Sequence, residues 1–243
     1  MLSCLIVCML VVGAIASKPG SPIEAFHDIQ QPSHERHEPC CAPRYFTLFQ
    51  TTVVTEVLDG SLSVELVEAE VAYDAISERV SLKVLEDFYN GTEVYFKSID
   101  DYGKGVSYLI FKHGEEEVCF KDETKGRFPK ECLPKHAKFV GEVTLGDHDL
   151  VVDSFYHLNE DQNEHVIKSV QHDGCVPIAL FAREVDPETG KEIKVTNAKA
   201  HDFKLGLCNP EKYFTPPPSC DEGQALAQPT PRMLKMRRKR LLY

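Results

Sequence analysis

The side chains that could carry acid–base or nucleophilic chemistry form no known catalytic pattern in this sequence. No G-x-S-x-G, no H-E-x-x-H and no Gly-rich phosphate loop occurs. His157, in the stretch SFYHLNED, could act as a general base, but nothing near it in the sequence nominates a nucleophile. We therefore predict that the protein is not an enzyme.

Clusters of oxygen-bearing side chains make cation binding the next chemistry to consider. The stretch GDHDLVVD contains Asp147, Asp149 and Asp153, and similar clusters occur in SIDDYG and NEDQNE. Ca²⁺ prefers such oxygen ligands, although none of these clusters has the spacing of an EF-hand. We predict a structural calcium site at Asp147, Asp149 and Asp153, where a turn meets a strand. A solvated acidic loop is the alternative.

The charge of the chain argues against a nucleic-acid partner. The formal net charge is −11, although residues 232–243 carry six basic side chains and no acidic one. An acidic body opposes phosphate contacts, which need a basic face. The basic segment includes RRKR at 237–240, which fits a dibasic processing site and equally a short solvated tail.

The cysteines favour an oxidising compartment. Residues 1–16 are apolar and uncharged and end in Ala14-Ile15-Ala16, which is typical of a cleaved signal peptide. Seven cysteines follow it, and in a secreted protein they are disulfide candidates: Cys40, Cys41, Cys119, Cys132, Cys175, Cys208 and Cys220. No CxxC pair occurs, which argues against a zinc ribbon or a thioredoxin-like motif. The odd number leaves one thiol unpaired or bonded between chains.

The elements that must position these residues are short strands. From Tyr45 onward, apolar and polar residues alternate in segments such as LSVELV, RVSLKVL, TEVYFKSI, VSYLIF and HVIKSV. Turn signals separate them, including Asp59-Gly60, Asn90-Gly91 and residues 186–190. About ten to twelve such strands, without a convincing long helix before residue 221, predict an antiparallel sandwich or an open barrel. Whether its interior is filled or hollow stays open at this point.

Local signals divide the chain into four parts. We expect a signal peptide at 1–16, a flexible lead-in at 17–39, a β domain at 40–220 and a basic tail at 221–243. The lead-in contains His27, His34 and His37, which could hold a transition metal but are more often only solvated. Asn90 begins the N-x-S/T sequon Asn-Gly-Thr at a hairpin signal, so we predict that it is glycosylated.

Four motifs in register resemble the ependymin family. They are YDAISERVSLKV, IDDYGKGVSYLI with EEEVC, DGCVPI and the closing DFKLGLCNPEKYFTPPPSC, and their order and rough spacing agree with the family across residues 40–220. The resemblance implies a secreted, glycosylated, disulfide-bonded protein that dimerises and binds calcium. It also implies two stacked antiparallel sheets that form a sandwich or half-barrel with an apolar pocket, like bacterial lipoprotein carriers. Cys208 departs from the family pattern, and Cys41 and Cys132 are additional to it.

The resemblance also suggests how the cysteines pair. It implies bonds from Cys40 to Cys175 and from Cys119 to Cys220. The second bond would tie the rigid stretch Pro216 to Pro218 onto the sheet, since proline cannot continue a ladder. A third bond between Cys132 and Cys208 would leave Cys41 as a candidate inter-chain bridge.

These observations together predict a secreted, extracellular binding protein, with the lysosome as a second candidate compartment. We expect it to bind or carry a hydrophobic, lipid-like ligand, to use calcium structurally and to form a homodimer. The predicted pocket residues are Phe96, Tyr108, Ile110, Val152, Phe155 and Phe203, for each of which ordinary core packing is the alternative. The alternative function is a structural role in the extracellular matrix or in cell adhesion, without an open pocket.

Overall fold

A computed structural model of the chain describes residues 37–58, 60–88, 93–113, 116–147 and 149–220. The chain divides into two compact units, Met1–His37 and Glu38–Tyr243, and the architecture below is that of the second unit. The signal peptide, most of the lead-in, Asn90 and the basic tail lie outside the described residues.

Eleven antiparallel strands form a single sheet within the described residues. Their order across the sheet is β6-β5-β4-β3-β2-β1-β11-β10-β9-β8-β7. The strands are β1 Tyr45–Leu58, β2 Ser61–Asp74, β3 Arg79–Phe88, β4 Glu93–Asp101, β5 Val106–His113, β6 Glu116–Glu123, β7 Lys138–Leu145, β8 Leu150–Asn159, β9 Glu164–Gln171, β10 Pro177–Val185 and β11 Glu192–Leu205. A short helix, α1 at Pro210–Phe214, and two 3₁₀ turns complete the described elements.

The order of the strands shows two meanders joined at their first and last strands. Strands β1 to β6 follow one another across one half of the sheet, and β7 to β11 do the same across the other half. The halves meet where β1 pairs with β11, for example Thr52 with Ala198. The crossover between the halves is the segment 124–137, which contains Phe128, Glu131, Cys132 and Leu133.

Short turns with suitable residues explain why neighbouring strands pair. Gly60 has φ +78°, which suits the tight turn between β1 and β2. The turn from β10 to β11 is closed by the Gly190 N–H, which donates to the Asp186 carbonyl at 2.8 Å. The Asp186 side chain accepts from the backbone of Glu188 and Thr189, the pattern of an Asx turn.

One face of the first meander, here called the inner face, carries the largest apolar cluster. Its buried members are Phe46, Leu48, Ala69, Tyr73, Val80, Leu82, Val84, Phe96, Leu109 and Phe111. They come from five adjacent strands and lie on one face because each cross-strand pair points its side chains the same way, as Val84 does with Phe96. Phe128 of the crossover packs on this cluster, with its ring centroid 5.2 Å from that of Tyr73.

The chain after β11 covers part of the opposite face of the first meander, the outer face. Buried Ala72, Ile99 and Ile110 pack there with Phe214 and Cys220. We call residues 206–220 the strap. The Arg79 guanidinium lies 4.4 Å from the ring centroid of Phe214, and this contact helps to hold α1 on the sheet.

The second meander has smaller apolar clusters. Val166, Leu180, Ala182 and Ala198 form one of them, and Leu133, Phe155, Val170 and Cys175 form another. Strand β7 pairs only with β8, and most of its residues are exposed. This half therefore derives less stability from burial than the first half.

The prediction of an all-β antiparallel architecture is confirmed. The strands expected in two layers are hydrogen-bonded into one continuous sheet. Strand β11 continues from Glu192 to Leu205, because its pairing with β1 continues past an irregularity near Thr47 and Phe49. No helix in the described part of the chain has the length and apolar character needed to cross a membrane.

Candidate functional site

A cleft opens beside two disulfide bonds, between the crossover and strands β9 and β10. The space beside its walls is about 310 Å³ including open solvent, and the room that it offers to water-sized molecules is only about 20 Å³. Its lining is mostly apolar and includes Ala42, Leu133, Val170, Pro177 and Ala179, together with the half-cystines Cys40, Cys132 and Cys175. Glu131 and Lys168 are the charged residues of this lining, so the cleft combines apolar walls with two opposite charges.

Backbone contacts fix Glu131 at the edge of the cleft. Its N–H donates to the Tyr73 hydroxyl at 3.2 Å, and its carbonyl accepts from the Ala42 N–H at 2.7 Å. Burial raises the pKa of the Glu131 carboxyl to about 7, and the positive charge of Lys168 only partly opposes this effect. Glu131 therefore changes its charge close to neutral pH.

Lys168 extends from β9 on the same face as Leu180 of β10, its cross-strand partner. Burial lowers the pKa of its ammonium group, while the carboxylates of Glu131 and Glu164 act in the opposite direction. Among the described residues, no hydrogen bond or ion pair within 4 Å joins the Glu131 and Lys168 side chains. Two partly buried charged groups in a mostly apolar cleft mark this region as a candidate binding site.

His157 lies on β8, opposite Val166, and its ring is 6.3 Å from that of His136. Burial lowers the pKa of His157 to about 4, and the nearby charges of Lys168 and His136 act in the same direction. The imidazole is therefore neutral at physiological pH. Its buried Nδ1 atom has no hydrogen-bond partner among the described residues.

The structure divides the six predicted pocket residues between the two faces of the sheet. Phe96 lies in the large inner-face cluster, and Phe203 packs against it with its ring 5.2 Å from that of Phe46. Tyr108 and Ile110 lie on the outer face beneath the strap. Phe155 belongs to a cluster of the second meander, and buried Val152 pairs with Gln171. The six residues therefore do not line one common cavity.

The disulfides follow the family resemblance in two of three bonds. Cys40 is bonded to Cys175 and Cys119 to Cys220, with Cα atoms 6.0 Å and 5.1 Å apart. The third bond joins Cys41 to Cys132, so the predicted bond between Cys132 and Cys208 is wrong.

The third bond has a simple geometric reason. Successive side chains of an extended chain point in opposite directions, so Cys40 and Cys41 reach different partners. A short antiparallel bridge places Cys41 directly opposite Cys132. Cys208 lies exposed in the turn after β11, and the role of inter-chain bridge predicted for Cys41 is also wrong. Three disulfides closing long loops are typical of an extracellular protein.

The three aspartates predicted to bind calcium do not form one cluster. Asp147 and Asp149 lie exposed in the turn between β7 and β8, whereas Asp153 is buried on β8. Within the described residues, Asp153 lies near Glu142 and His172, and the ligand atoms of these three are within 4.8 Å of one another. Calcium binding at the predicted aspartates stays a prediction.

Neither Glu131 nor Lys168 was predicted from the sequence as a site residue. Lys168 lies in the alternating stretch HVIKSV and Glu131 lies in the crossover, and only tertiary packing places them at one cleft. In the sequence, only Cys132 and Cys175 indicate that these segments could meet, because their disulfide bonds to Cys41 and Cys40 bring distant segments together.

Two solved structures show only a weak overall likeness to this chain. A putative outer membrane lipoprotein-sorting protein domain from Vibrio parahaemolyticus superposes with a TM-score of 0.29 at 9% identity, covering 68% of this chain and 88% of that one. A DUF1329 family protein from Desulfovibrio piger superposes with a TM-score of 0.23 at 9% identity, with the same two coverages.

Sequence comparison is more informative. The development-specific protein LVN1.2 of Lytechinus variegatus is 24% identical over 161 residues, which cover 62% of this chain and 84% of the relative. The family model described as Ependymin matches residues 90–220, more than half of the chain. The chain therefore belongs to the ependymin family.

Proposed function

We propose that this protein is a secreted carrier that holds a hydrophobic, lipid-like ligand against the inner face of its sheet. The observation that carries the proposal is the separation of the apolar clusters. In a filled sandwich, side chains of two layers interdigitate into one core. Here the inner-face cluster of β1 to β5 and the clusters of β8 to β11 remain distinct among the described residues.

The inner face also has the polarity that an amphiphile requires. Its apolar cluster borders a band of buried polar residues on β2, β1 and β11, namely Glu65, Gln50, Thr52 and Thr196. Thr196 is fully buried, and its hydroxyl has no hydrogen-bond partner within the described residues. A ligand with an apolar body and a polar head would satisfy both parts of this face.

Two phenylalanines on opposite faces provide a matched test. Phe120 of β6 is half-buried against the inner-face cluster, whereas Phe181 of β10 is 42% exposed on the other side of the sheet. A fluorescent fatty acid should bind the wild-type protein. Its affinity should be lower for the Phe120→Ala variant and equal to wild type for the Phe181→Ala variant. Absence of uptake, or equal losses in both variants, would contradict the proposal.

A structural role in the extracellular matrix is the second candidate, and one observation favours it. Apolar side chains are exposed on the outer face of the central strands, including Phe49, Val53 and Leu66. Such a surface suits contact with another protein, either a second copy or a matrix component. Calcium-dependent binding to collagen by a protein that takes up no fatty acid would support this function over the carrier.

A further inference from the structure

Three metal-ligating side chains converge at the free edge of the second meander. Glu142 lies on β7, Asp153 on β8, and His172 follows the end of β9. Glu142 and Asp153 face each other directly across the β7–β8 pair. The His172 Nδ1 atom is 2.8 Å from the Asp153 Oδ2 atom, and the ligand atoms of all three residues lie within 4.8 Å of one another.

The backbone holds these residues on one face of the sheet. Asp153 is opposite Val170 of β9, and His172 is two residues further along the same chain, so its side chain points to the same side. The His172 N–H also donates to the Val151 carbonyl at 2.9 Å. The nearby disulfide between Cys40 and Cys175 anchors the turn that follows His172.

The burial of the three residues suits metal capture. Asp153 is 6% exposed and is the fixed member, whereas the Glu142 and His172 side chains are exposed at the surface. Around a tetrahedral zinc ion, ligand atoms are roughly 3.4 Å apart, given metal–ligand bonds of about 2.1 Å. Small rotations of the two exposed side chains therefore bring the cluster to this spacing.

We infer that Glu142, Asp153 and His172 bind a divalent transition metal of the zinc class. One imidazole and two carboxylates form a mixed nitrogen and oxygen set that suits Zn²⁺ or Co²⁺. Calcium requires six to eight oxygen ligands, far more than these residues supply. The remaining coordination positions would be taken by water or by another ligand. This site shares Asp153 with the calcium site predicted at Asp147, Asp149 and Asp153, but its other ligands and its metal differ.

The metal would have a structural consequence for the edge of the sheet. Strand β7 has only one neighbour and is mostly exposed, so the sheet itself protects it weakly. An ion shared by Glu142, Asp153 and His172 links β7 to β8 and to the turn after β9. It would clamp the edge strand in place, independently of any ligand bound on the inner face.

Zinc titration with a local readout tests this inference. The purified, disulfide-bonded full-length protein is stripped with a chelator and titrated with ZnCl₂ by calorimetry in excess Ca²⁺. Hydrogen exchange of residues 138–145 is followed by mass spectrometry in the same samples. The test variants are His172→Gln and Glu142→Gln, whose side chains are exposed. The matched control is His201→Gln, because His201 forms an exposed pair with Asp202 at 3.3 Å but lies outside the cluster.

We expect zinc to bind the wild type and the His201→Gln variant and to slow exchange in β7. Affinity should fall at least tenfold in His172→Gln and in Glu142→Gln, with loss of the exchange protection. Unchanged thermal midpoints of the metal-free variants would show that both still fold. Zinc binding that leaves exchange in β7 unchanged, or that is equal in His172→Gln and the control, would overturn the inference.

Discussion

The two meanders of the sheet differ in the size of their apolar clusters and in the exposure of their strands. In the first, a large apolar cluster lies on the inner face, and the disulfide-anchored strap covers part of the outer face. In the second, apolar clusters are small and the edge strand is exposed, yet Lys168, His157 and His172 all lie there with shifted pKa values. The comparison indicates that stabilisation by apolar burial lies mainly in the first half, whereas the charged cleft lies beside the second.

The largest expected effect tests this difference with one residue type. Phe96→Ala removes a fully buried ring from the inner-face cluster and should lower the free energy of unfolding by about 3–5 kcal/mol. Phe139→Ala, on edge strand β7, removes a ring that is 38% exposed and should cost less than about 1 kcal/mol. Urea denaturation of both variants measures the contrast. Equal losses would show that the two halves are equally packed.

The next effect concerns the strap. The bond between Cys119 and Cys220 closes a loop across 101 residues, so the double variant Cys119→Ser and Cys220→Ser should lose about 2–4 kcal/mol of stability. Its strap should also become sensitive to limited proteolysis while the strands stay protected. A strap that remains resistant would mean that the contacts of Arg79 and Phe214 hold it without the bond.

The third effect is a pH dependence that belongs to the cleft. The folded pKa of Glu131, about 7, is above its ordinary value of 4.5, because burial favours the protonated carboxyl. Its contribution to stability is fully present below pH 4.5 and is lost as the pH rises through about 7. Glu131→Gln should therefore gain stability relative to wild type between pH 5 and pH 8, by up to about 3 kcal/mol.

His157 provides the control for this prediction, because its shift has the opposite sign. Its pKa is lowered from 6.5 to about 4, so its contribution is present above pH 6.5 and is lost as the pH falls through about 4. The difference between wild type and His157→Asn should therefore shrink toward low pH. Urea midpoints at several pH values measure both slopes, and a pH-independent difference for Glu131→Gln would contradict its assignment.

The smallest effect is expected at the turn between β2 and β3. The Asp74 carboxylate accepts from the N–H groups of Ile76 and Ser77 and from Arg79, at 3.1, 3.0 and 2.6 Å. Burial acts to raise the pKa of Asp74, but the hydrogen bonds from Arg79 and Ser77 outweigh it and hold the pKa below its ordinary value.

Asp74→Asn should therefore cost about 1–2 kcal/mol near neutral pH. The wild-type contribution is present above the ordinary pKa of 3.8 and is lost as the pH falls through the lower folded value. Thermal unfolding at pH 7 and at pH 3 measures this loss. A cost that is the same at both pH values would show that the charge of Asp74 is not what stabilises the turn.

The strands could be predicted because alternation depends on local sequence alone. Segments such as RVSLKVL and VSYLIF lie within β3 and β5, and the turn at 186–190 forms as its residues predict. The sequence signal was weak for β7, whose residues are mostly exposed and whose ladder with β8 contains an irregularity. Exposure on both faces removes the alternation on which the prediction depends.

The sites could be predicted only where covalent bonds or local motifs constrain them. Family motifs predict the two bonds formed by Cys40, Cys119, Cys175 and Cys220. They say nothing of cysteines outside the family pattern, and the bond predicted for Cys132 is therefore wrong. Asp147 and Asp149 are neighbours of Asp153 in sequence, yet strand pairing places Glu142 beside it instead. Residues that meet through register and disulfides cannot be grouped from spacing alone.

Native mass spectrometry of the purified protein tests the proposal of a carrier most directly. The account predicts a mass above that of the denatured protein, with the excess released by organic solvent and identified as lipid. Re-addition of the extracted lipid should restore the heavier species. A protein that is isolated without bound lipid and that takes up none when lipid is added would contradict the account.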